Sequence, residues 1–173
     1  MHVHFVCTAN ICRSAYMELV ARHRLGPDSP VTVSSSGTHG FRDRRMDRTM
    51  AGALDDVDHE EFRSRELTAA MVDEADLVLT ADRAHRQFVL EDHPAWFRKV
   101  FTLGQFAEVV RRAREAGDTS TGVDLVRAAA GMTGIAQVDA DVADPFARGP
   151  VAAKACARDI DALLDVVLPA LSP

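Results

Sequence analysis

The feature that most constrains this chain is the order of structures predicted for residues 1–25. Residues 2–6 alternate polar and apolar side chains, which predicts a strand. The strand runs into the loop Cys7-Thr-Ala-Asn-Ile-Cys-Arg13-Ser14, and from Ser14 apolar residues recur at helical spacing until Gly26. A strand that leads through a short loop into a helix begins a β–α–β unit, and ligands of such folds bind beyond the carboxyl ends of the strands. Cys7 stands at such an end.

The rest of the sequence continues this alternation. Further strands are predicted at 31–37, 76–80 and 100–102, and helices at 67–75, 81–92, 103–117, 119–131 and 151–171. This order indicates an α/β protein: a three-layer, doubly wound fold with a four-stranded parallel sheet flanked by helices on both faces. We expect a single domain over residues 1–173. Residues 131–150 are the least regular, which is typical of a long functional loop.

Charge and composition argue against several classes of function. The formal net charge of −6 disfavours general affinity for nucleic acids or anionic membranes. A run of about 18 apolar residues is missing, so no transmembrane helix is predicted, and the N-terminus lacks the features of a signal peptide. Three cysteines are an odd number for a disulfide framework. We therefore expect a cytoplasmic protein with reduced thiols, and the sequence makes no prediction about its oligomeric state.

The loop after the first predicted strand has the composition of an anion site that carries its own nucleophile. A strand-to-helix loop directs successive backbone N–H groups into one concavity, and the helix N-terminus adds partial positive charge. The guanidinium of Arg13 presents a fork that matches two oxygens of a phosphate group. A cysteine at the base of this loop, here Cys7, is placed where its thiolate is stabilised.

Other interpretations of the same residues remain open at this point. A cysteine that follows a strand is often a small buried hydrophobic residue, which would leave Cys7 without chemistry. A zinc site would need closely spaced cysteine pairs and further ligands, whereas Cys7 and Cys12 are five apart and Cys156 is distant, so no metal is predicted. The loop also lacks the Gly-Lys-Ser/Thr ending of nucleotide-binding P-loops.

Several segments resemble one family of enzymes. The stretch VCTANICRS is similar to the active-site loop of the low-molecular-weight protein tyrosine phosphatases. Further segments of this sequence resemble family segments in the same order: Ser35-Ser36-Gly37-Thr38, Arg63-Ser64-Arg65-Glu66-Leu67-Thr68, Ala75-Asp76-Leu77-Val78-Leu79 and Asp144-Pro145-Phe146. The stretch 107–143 is longer than the family leads us to expect.

The irregular segment 131–150 contains three candidates for a general acid. A phosphate monoester needs its leaving oxygen protonated, so a carboxylic acid should face the thiolate. Asp139, Asp141 and Asp144 are the candidates, and Asp144 precedes Pro145, which favours an extended backbone there. Because the family carries its acid in an Asp-Pro-aromatic motif, the resemblance selects Asp144.

The resemblance implies the hydrolysis of phosphotyrosine in a protein substrate through a cysteinyl-phosphate, with inorganic phosphate as product and no metal or organic cofactor. Cys7 is then the nucleophile, Arg13 holds the phosphate oxygens, and Asp144 acts first as acid and then as base. The family also assigns phosphate binding and loop support to Thr8, Ala9, Asn10, Ile11, Cys12, Ser14 and Ser35. In the family, the position of Cys12 forms a disulfide with the nucleophile under oxidation.

Substrate preference is predicted from the expected pocket walls, which are Ile11, Phe41 and Phe146. Arginine-phosphate phosphatases of this family typically carry Thr where this chain has Ile11, so phosphotyrosine is favoured. The arginines at 42, 44, 45 and 48 are interpreted as a solvated face, with attraction of acidic substrates as the alternative. Many members have a histidine at the position of Phe62 that helps to hold the loop asparagine, so this support is missing here or is built differently.

The sequence leaves two alternative functions open. Thioredoxin-coupled arsenate reductases have a similar fold and loop but use two further cysteines on a mobile segment, and only Cys156 remains here, within a helical pattern. A non-catalytic phosphate- or phosphoprotein-binding module would need no acid, so the joint presence of Cys7, Arg13 and Asp144 argues against it.

Overall fold

The computed structural model describes residues 1–39, 41–91, 93–138 and 140–172. Its strands are β1 (His2–Cys7), β2 (Thr32–Gly37), β3 (Leu77–Thr80) and β4 (Val100–Thr102). Its α-helices are α1 (Arg13–Leu25), α2 (Arg48–Ala51), α3 (Ala69–Glu74), α4 (Arg83–Glu91), α5 (Leu103–Glu115), α6 (Gly122–Ala129) and α7 (Gly149–Leu171), and two short 3-10 turns occupy Pro94–Arg98 and Ile135–Gln137.

The strands form one parallel sheet in the order β2-β1-β3-β4. Side chains of a strand point alternately to its two faces, so Phe5 and Leu79 enter the larger core, which includes side chains of α1, α5 and α7. Val6 and Val78 enter a smaller core that includes Val72 of α3 and Val89 of α4. The predicted α/β fold, with a four-stranded parallel sheet between two helical layers, is therefore confirmed.

The order of the strands determines where a ligand site forms. The chain moves from β1 to its neighbour β2 and then returns to β3 on the opposite side of β1. The loop after β1 therefore lies at the point where the strand order reverses, which is where open α/β sheets form a crevice. This loop joins Cys7, the last residue of β1, to Arg13, the first residue of α1.

Some predicted boundaries were wrong. The helix predicted at 67–75 is shorter, because the Thr68 side chain accepts a hydrogen bond from the Met71 amide (3.3 Å) and caps α3 at its start. Helix α7 begins at Gly149 and not at residue 151, and the four-residue helix α2 was not predicted. Residues 131–138 and 140–148 are largely irregular, as expected. In the described ranges we find no helix that is both long and apolar enough to cross a membrane.

A buried histidine at the centre of the sheet makes stability depend on pH. His4 lies between two hydroxyl groups, with Nδ1 2.7 Å from Ser34 Oγ and Nε2 2.7 Å from Ser36 Oγ. Burial, and then the positive charges of His2 and Arg65, lower the pKa of His4 from 6.5 to about 3. The folded protein therefore keeps this ring neutral over a range in which the unfolded chain protonates it.

We expect the free energy of unfolding to fall as the pH drops from 6.5 towards 3. In this window the unfolded state binds one more proton than the folded state, which costs about 1.4 kcal/mol per pH unit and about 2 kcal/mol by pH 5. Urea denaturation at pH 7 and pH 5 measures this loss, which His4→Gln should remove. His23→Gln, a change at an exposed histidine, should leave it intact. An equal loss in wild type and His4→Gln would contradict the assignment to His4.

Candidate active site

The loop between β1 and α1 turns its peptide carbonyls outward. The carbonyls of Cys7, Thr8 and Ile11 accept hydrogen bonds of 2.9 Å each from the amides of Thr38, His39 and Asp47, respectively. Because a peptide N–H points opposite to its neighbouring carbonyl, the N–H side of these units faces the centre of the loop. Peptide N–H groups arranged in this way are able to bind an anion.

The end of β2 packs directly against this loop. A Cβ atom added at Gly37 would lie only 2.5 Å from the carbonyl oxygen of Thr8 and 2.9 Å from the carbonyl carbon of Ala9. Gly37 is therefore required by the close approach of two backbones. This explains the glycine in the Ser35-Ser36-Gly37-Thr38 segment.

Cys7 lies at the base of the loop, where its thiol contacts one hydroxyl group. Its side chain is buried, and Sγ is 3.0 Å from Ser14 Oγ. The same hydroxyl accepts a hydrogen bond from Asn10 Nδ2 (2.9 Å) and donates to the Ser36 carbonyl oxygen (3.3 Å). If its single proton turns from Ser36 towards Sγ, the hydroxyl can donate to a thiolate, which is the role that the resemblance implies for Ser14.

The other two cysteines are in different environments. Burial, and then the charge of Asp47, raise the pKa of Cys12, and burial raises the pKa of Cys156 to about 12. Both thiols are therefore held in the neutral, poorly nucleophilic form. Cys156 is buried within α7, which disfavours the mobile redox relay of the arsenate reductases.

Arg13 offers one edge of its guanidinium to a ligand. Its Nη1 donates to Asp82 Oδ2 (2.9 Å) and to the Val142 carbonyl (3.2 Å), which fixes the plane of the group. Nε is buried and has no hydrogen-bond partner among the described residues. The Nε–Nη2 edge has the geometry of a fork for two oxygens of an oxyanion, and a bound oxyanion would satisfy the buried Nε.

Arg13 is held by a network of Asp82, His85 and Thr8 that the sequence did not predict. Asp82 Oδ1 accepts a hydrogen bond from the His85 backbone amide (3.0 Å). The same oxygen lies 2.7 Å from His85 Nδ1, which is an ion-pair distance without the angle of a hydrogen bond. His85 Nε2 lies 2.8 Å from the Thr8 hydroxyl. Burial works against ionisation of Asp82, but His85 and Arg13 together hold the pKa of this carboxyl well below its usual range. Asp82 therefore stays ionised and orients Arg13.

The left-handed backbone of Asn10 is held by contacts that occupy its whole side chain. Asn10 has φ of 55°, and besides Ser14 its Nδ2 donates to Ser35 Oγ (2.7 Å) while its Oδ1 accepts from the Arg65 amide (2.9 Å). Ser35 donates in turn to the buried Glu18 carboxylate, which Arg65 Nη2 contacts at 3.3 Å. These contacts close a ring of Asn10, Ser35, Glu18 and Arg65.

This ring of contacts supports Asn10 in the absence of the histidine that many family members carry. Phe62, at the aligned position, is buried in the larger core. Support comes instead from Arg65, three positions further along the chain, and from Glu18 of α1. The support is therefore built differently. Neither residue was identified from the sequence, because an arginine and a glutamate 47 positions apart show no local pattern.

The three candidate acids have different surroundings. Asp144 Oδ2 lies 3.4 Å from Arg13 Nη2, on the side of the guanidinium away from the Nη1 contacts with Asp82 and Val142. Asp141 is engaged elsewhere, with Arg83. Asp139 lies outside the described residues. Of the two described candidates, Asp144 is the one that contacts Arg13.

A cavity of about 200 Å³ opens above the loop. Its described lining contains three groups predicted for chemistry and the three predicted walls, together with other residues of the loop: Cys7, Thr8, Ala9, Ile11, Cys12, Arg13, Phe41, Asp144 and Phe146. Phe41 and Phe146 are 46% and 53% exposed, so these rings stand at the mouth and are not part of the core. Asn10, Ser14 and Ser35 are buried and support the loop through the contacts above.

The arginines near the mouth are partly neutralised. Arg42 pairs with Glu66 at 2.6 Å and Arg45 with Glu60 at 2.7 Å, all four with exposed side chains. Arg44 lies over the Phe41 ring at 6.0 Å from its centroid. These contacts favour the interpretation of a solvated face. Within the described ranges, no cluster of three or more His, Cys, Asp or Glu side chains forms a metal site.

The fold and the loop after β1 together define a class, the cysteine-dependent phosphatases, in which a thiol attacks phosphorus inside an anion cradle. Residues 2–119 match the family described as low molecular weight phosphotyrosine protein phosphatase. The chain belongs to this family. The matched range ends before Asp144, so the placement of that residue depends on the geometry given above.

Individual proteins agree with this assignment. The chain is 33% identical over 104 residues to the probable low molecular weight protein-tyrosine-phosphatase EpsP of Ralstonia nicotianae, covering 60% of this chain and 70% of that protein. It is 37% identical over 105 residues to the low molecular weight protein-tyrosine-phosphatase Etp of Escherichia coli, covering 60% and 69%.

Solved structures share the whole fold. The YwlE arginine phosphatase of Geobacillus stearothermophilus superposes with a TM-score of 0.75 at 23% identity, over 97% of this chain and 90% of that one. The low molecular weight protein tyrosine phosphatase of T. tengcongensis gives a TM-score of 0.75 at 22% identity, over 98% of each chain. At these identities the superposition establishes the fold.

Proposed function

We propose that this protein hydrolyses phosphotyrosine in protein substrates, with Cys7 as nucleophile, Arg13 as phosphate ligand and Asp144 as general acid and base. The observation that carries the proposal is the meeting of these three side chains in one cavity walled by Ile11 and two phenylalanines. The reaction uses only these residues and water, with no metal or organic cofactor. Inorganic phosphate is the product.

In the first step the Cys7 thiolate attacks phosphorus while the phenolic oxygen leaves on the opposite side. The Nε–Nη2 edge of Arg13 and the inward N–H groups of the loop bind the three non-bridging oxygens. Asp144, at the mouth, donates its proton to the departing oxygen. The step forms one S–P bond, breaks one P–O bond and leaves the phosphate on Cys7.

In the second step water hydrolyses the cysteinyl-phosphate. Asp144, now ionised, takes a proton from the attacking water, and the S–P bond breaks to return the thiolate. The hydroxyl of Ser14, 3.0 Å from Cys7 Sγ, is placed to stabilise the thiolate as it leaves. Inorganic phosphate then dissociates from the loop and from Arg13.

A preference for phosphotyrosine is supported by the apolar walls of the cavity. Ile11, Phe41 and Phe146 suit a flat aromatic ring, which gains from apolar contact and from ring stacking. Two relatives, EpsP and Etp, are named protein-tyrosine-phosphatases. One structural neighbour is named an arginine phosphatase. The family resemblance implies Thr at the position of Ile11 in members with that activity, so Ile11 favours phosphotyrosine. We also propose that the protein acts in the cytoplasm, because its three cysteines are free thiols.

The substrate preference is tested with two phosphopeptides of one sequence, one carrying phosphotyrosine and the other phosphoarginine. We expect kcat/KM for the phosphotyrosine peptide to exceed that for the phosphoarginine peptide by at least about tenfold, because loss of apolar contact in such a pocket is worth about 10–200-fold. Ile11→Thr should lower the ratio of the two kcat/KM values, phosphotyrosine over phosphoarginine. Ile11→Val keeps the wall apolar and is the control, so it should leave this ratio near that of wild type. A ratio that favours phosphoarginine would overturn the proposed substrate, and no release of phosphate from either peptide would overturn the function.

A further inference from the structure

We propose that Asp141 is a positioning residue for the general acid: its contacts with Arg83 hold the segment that carries Asp144 against the start of α4. The inference rests on the proposed function, because it concerns how the proposed acid is placed. The segment of residues 140–148, which leads into helix α7, is called the acid loop.

Asp144 has few contacts of its own that could fix its position. Its side chain is 47% exposed. Oδ1 accepts a hydrogen bond from the Phe146 amide (3.3 Å), which is internal to the loop, and Oδ2 lies 3.4 Å from Arg13 Nη2. In the proposed reaction Arg13 binds phosphate, so this contact is not available throughout the cycle. The place of the acid therefore depends on how the preceding backbone is anchored.

The backbone two residues before Asp144 is anchored on both sides. The Val142 amide donates to the carbonyl of Ala81, just after β3 (2.9 Å), and the Val142 carbonyl accepts from Arg13 Nη1 (3.2 Å). Two positions earlier, Ala140 packs so closely on Gly104 that a Cβ atom added at Gly104 would lie 2.3 Å from the Ala140 carbonyl oxygen. Asp141 lies between these two anchored residues, so its side chain determines how the segment meets α4.

Asp141 binds the first residue of α4 with both carboxylate oxygens. Oδ1 accepts from the Arg83 backbone amide and Oδ2 from Arg83 Nε, each at 3.1 Å. A carboxylate at this position satisfies an N–H that the helix itself leaves free, and it is favoured by the partial positive charge of the helix N-terminus. The side chain is 31% exposed, so solvent screens this interaction only in part.

The same helix start also orients the phosphate ligand. Asp82 precedes α4, accepts a hydrogen bond from the His85 amide and holds Arg13 Nη1 through its other oxygen. Asp82 thus holds Arg13 against the first turn of α4. Asp141 holds the acid loop against the same turn. Two carboxylates at the start of α4, Asp82 and Asp141, therefore set the distance between Arg13 and Asp144. Catalysis loses rate steeply when such groups are displaced by about 1 Å.

The test compares Asp141→Asn with wild type on two aryl phosphates. Phenyl phosphate has a poor leaving group that needs protonation, whereas 4-nitrophenyl phosphate has a good one that needs little. We expect kcat/KM for phenyl phosphate to fall about tenfold in Asp141→Asn, part of the 10²–10⁴ that general acids contribute, and kcat/KM for 4-nitrophenyl phosphate to fall less than about twofold. Asp124→Asn, which removes an exposed aspartate–arginine pair of 2.9 Å with Arg127, is the control and should change neither value.

Each outcome decides between positioning and other roles. Competitive inhibition by inorganic phosphate should be unchanged in Asp141→Asn, because the loop and Arg13 remain intact. An equal fall for both substrates, or weaker phosphate inhibition, would show a general structural role and overturn the proposal. Unchanged kcat/KM for phenyl phosphate would overturn it as well. Failure of the proposed function is distinct, because wild type would then hydrolyse neither substrate.

Discussion

Replacing Cys7 with serine is expected to abolish the hydrolysis of aryl phosphates while phosphate binding remains. The serine hydroxyl is almost fully protonated at neutral pH, and the proposed mechanism includes no base that would deprotonate it. The variant therefore lacks a nucleophile. The expected fall in kcat is on the order of 10⁴-fold or more, as for the loss of other nucleophiles. Calorimetric titration with inorganic phosphate should give a Kd within a few-fold of wild type, because Arg13 and the loop amides are unchanged.

The matched control for this substitution is Cys156→Ser. It makes the same chemical change at another buried thiol, in α7. Turnover by this variant should stay within about twofold of wild type if the protein folds, which a thermal melt checks. Residual turnover by Cys7→Ser comparable to that of wild type would contradict the assignment of the nucleophile. Loss of arsenate reduction in Cys156→Ser would revive the reductase alternative.

Replacing Asp144 with asparagine is expected to lower kcat/KM for phenyl phosphate by about 10²–10³. The amide cannot donate a proton to the leaving phenolate, so the loss should shrink to a few-fold for 4-nitrophenyl phosphate, which leaves readily. Steady-state kinetics with both substrates measures the difference. Asp141→Asn should show the same difference between the two substrates but with smaller losses, because a positioning residue acts through Asp144.

The control for Asp144 is Asp43→Asn, which changes an aspartate two positions from the pocket wall Phe41. Asp43 is 88% exposed and lies 3.8 Å from Arg63. Because exposed pairs of this kind contribute little, kcat/KM should stay within about twofold of wild type for both substrates. A uniform loss across leaving groups in Asp144→Asn would contradict its role as acid and point to a role in binding.

The parts of this protein that could be predicted are those whose causes are local in sequence. The strand, loop and helix of residues 1–25 follow from alternation, helical spacing and a terminating glycine, and the structure confirms them. Even β4, only Val100–Thr102, was predicted with its correct bounds. Helix α2 was missed because its four residues are too few to show a period.

The contacts that hold the site together could not be predicted, because they join distant parts of the chain. Arg13 and Asp82 are 69 positions apart, and Asp141 and Arg83 are 58 apart. Long side chains of this kind have many possible partners, and only the packed fold selects one. Motifs in the sequence therefore indicated the residues that we propose for the chemistry, whereas the residues that contact and orient them appeared only in the tertiary structure.

The most direct test of the account is to trap phosphate on the enzyme during turnover. Wild-type protein is mixed with 4-nitrophenyl phosphate, quenched within milliseconds in denaturant, digested and analysed by mass spectrometry. The account predicts a phosphate adduct on the peptide that contains Cys7, absent in Cys7→Ser and present in Cys156→Ser. Steady turnover with no adduct, or with phosphate on a residue other than Cys7, would contradict a cysteinyl-phosphate mechanism at this loop.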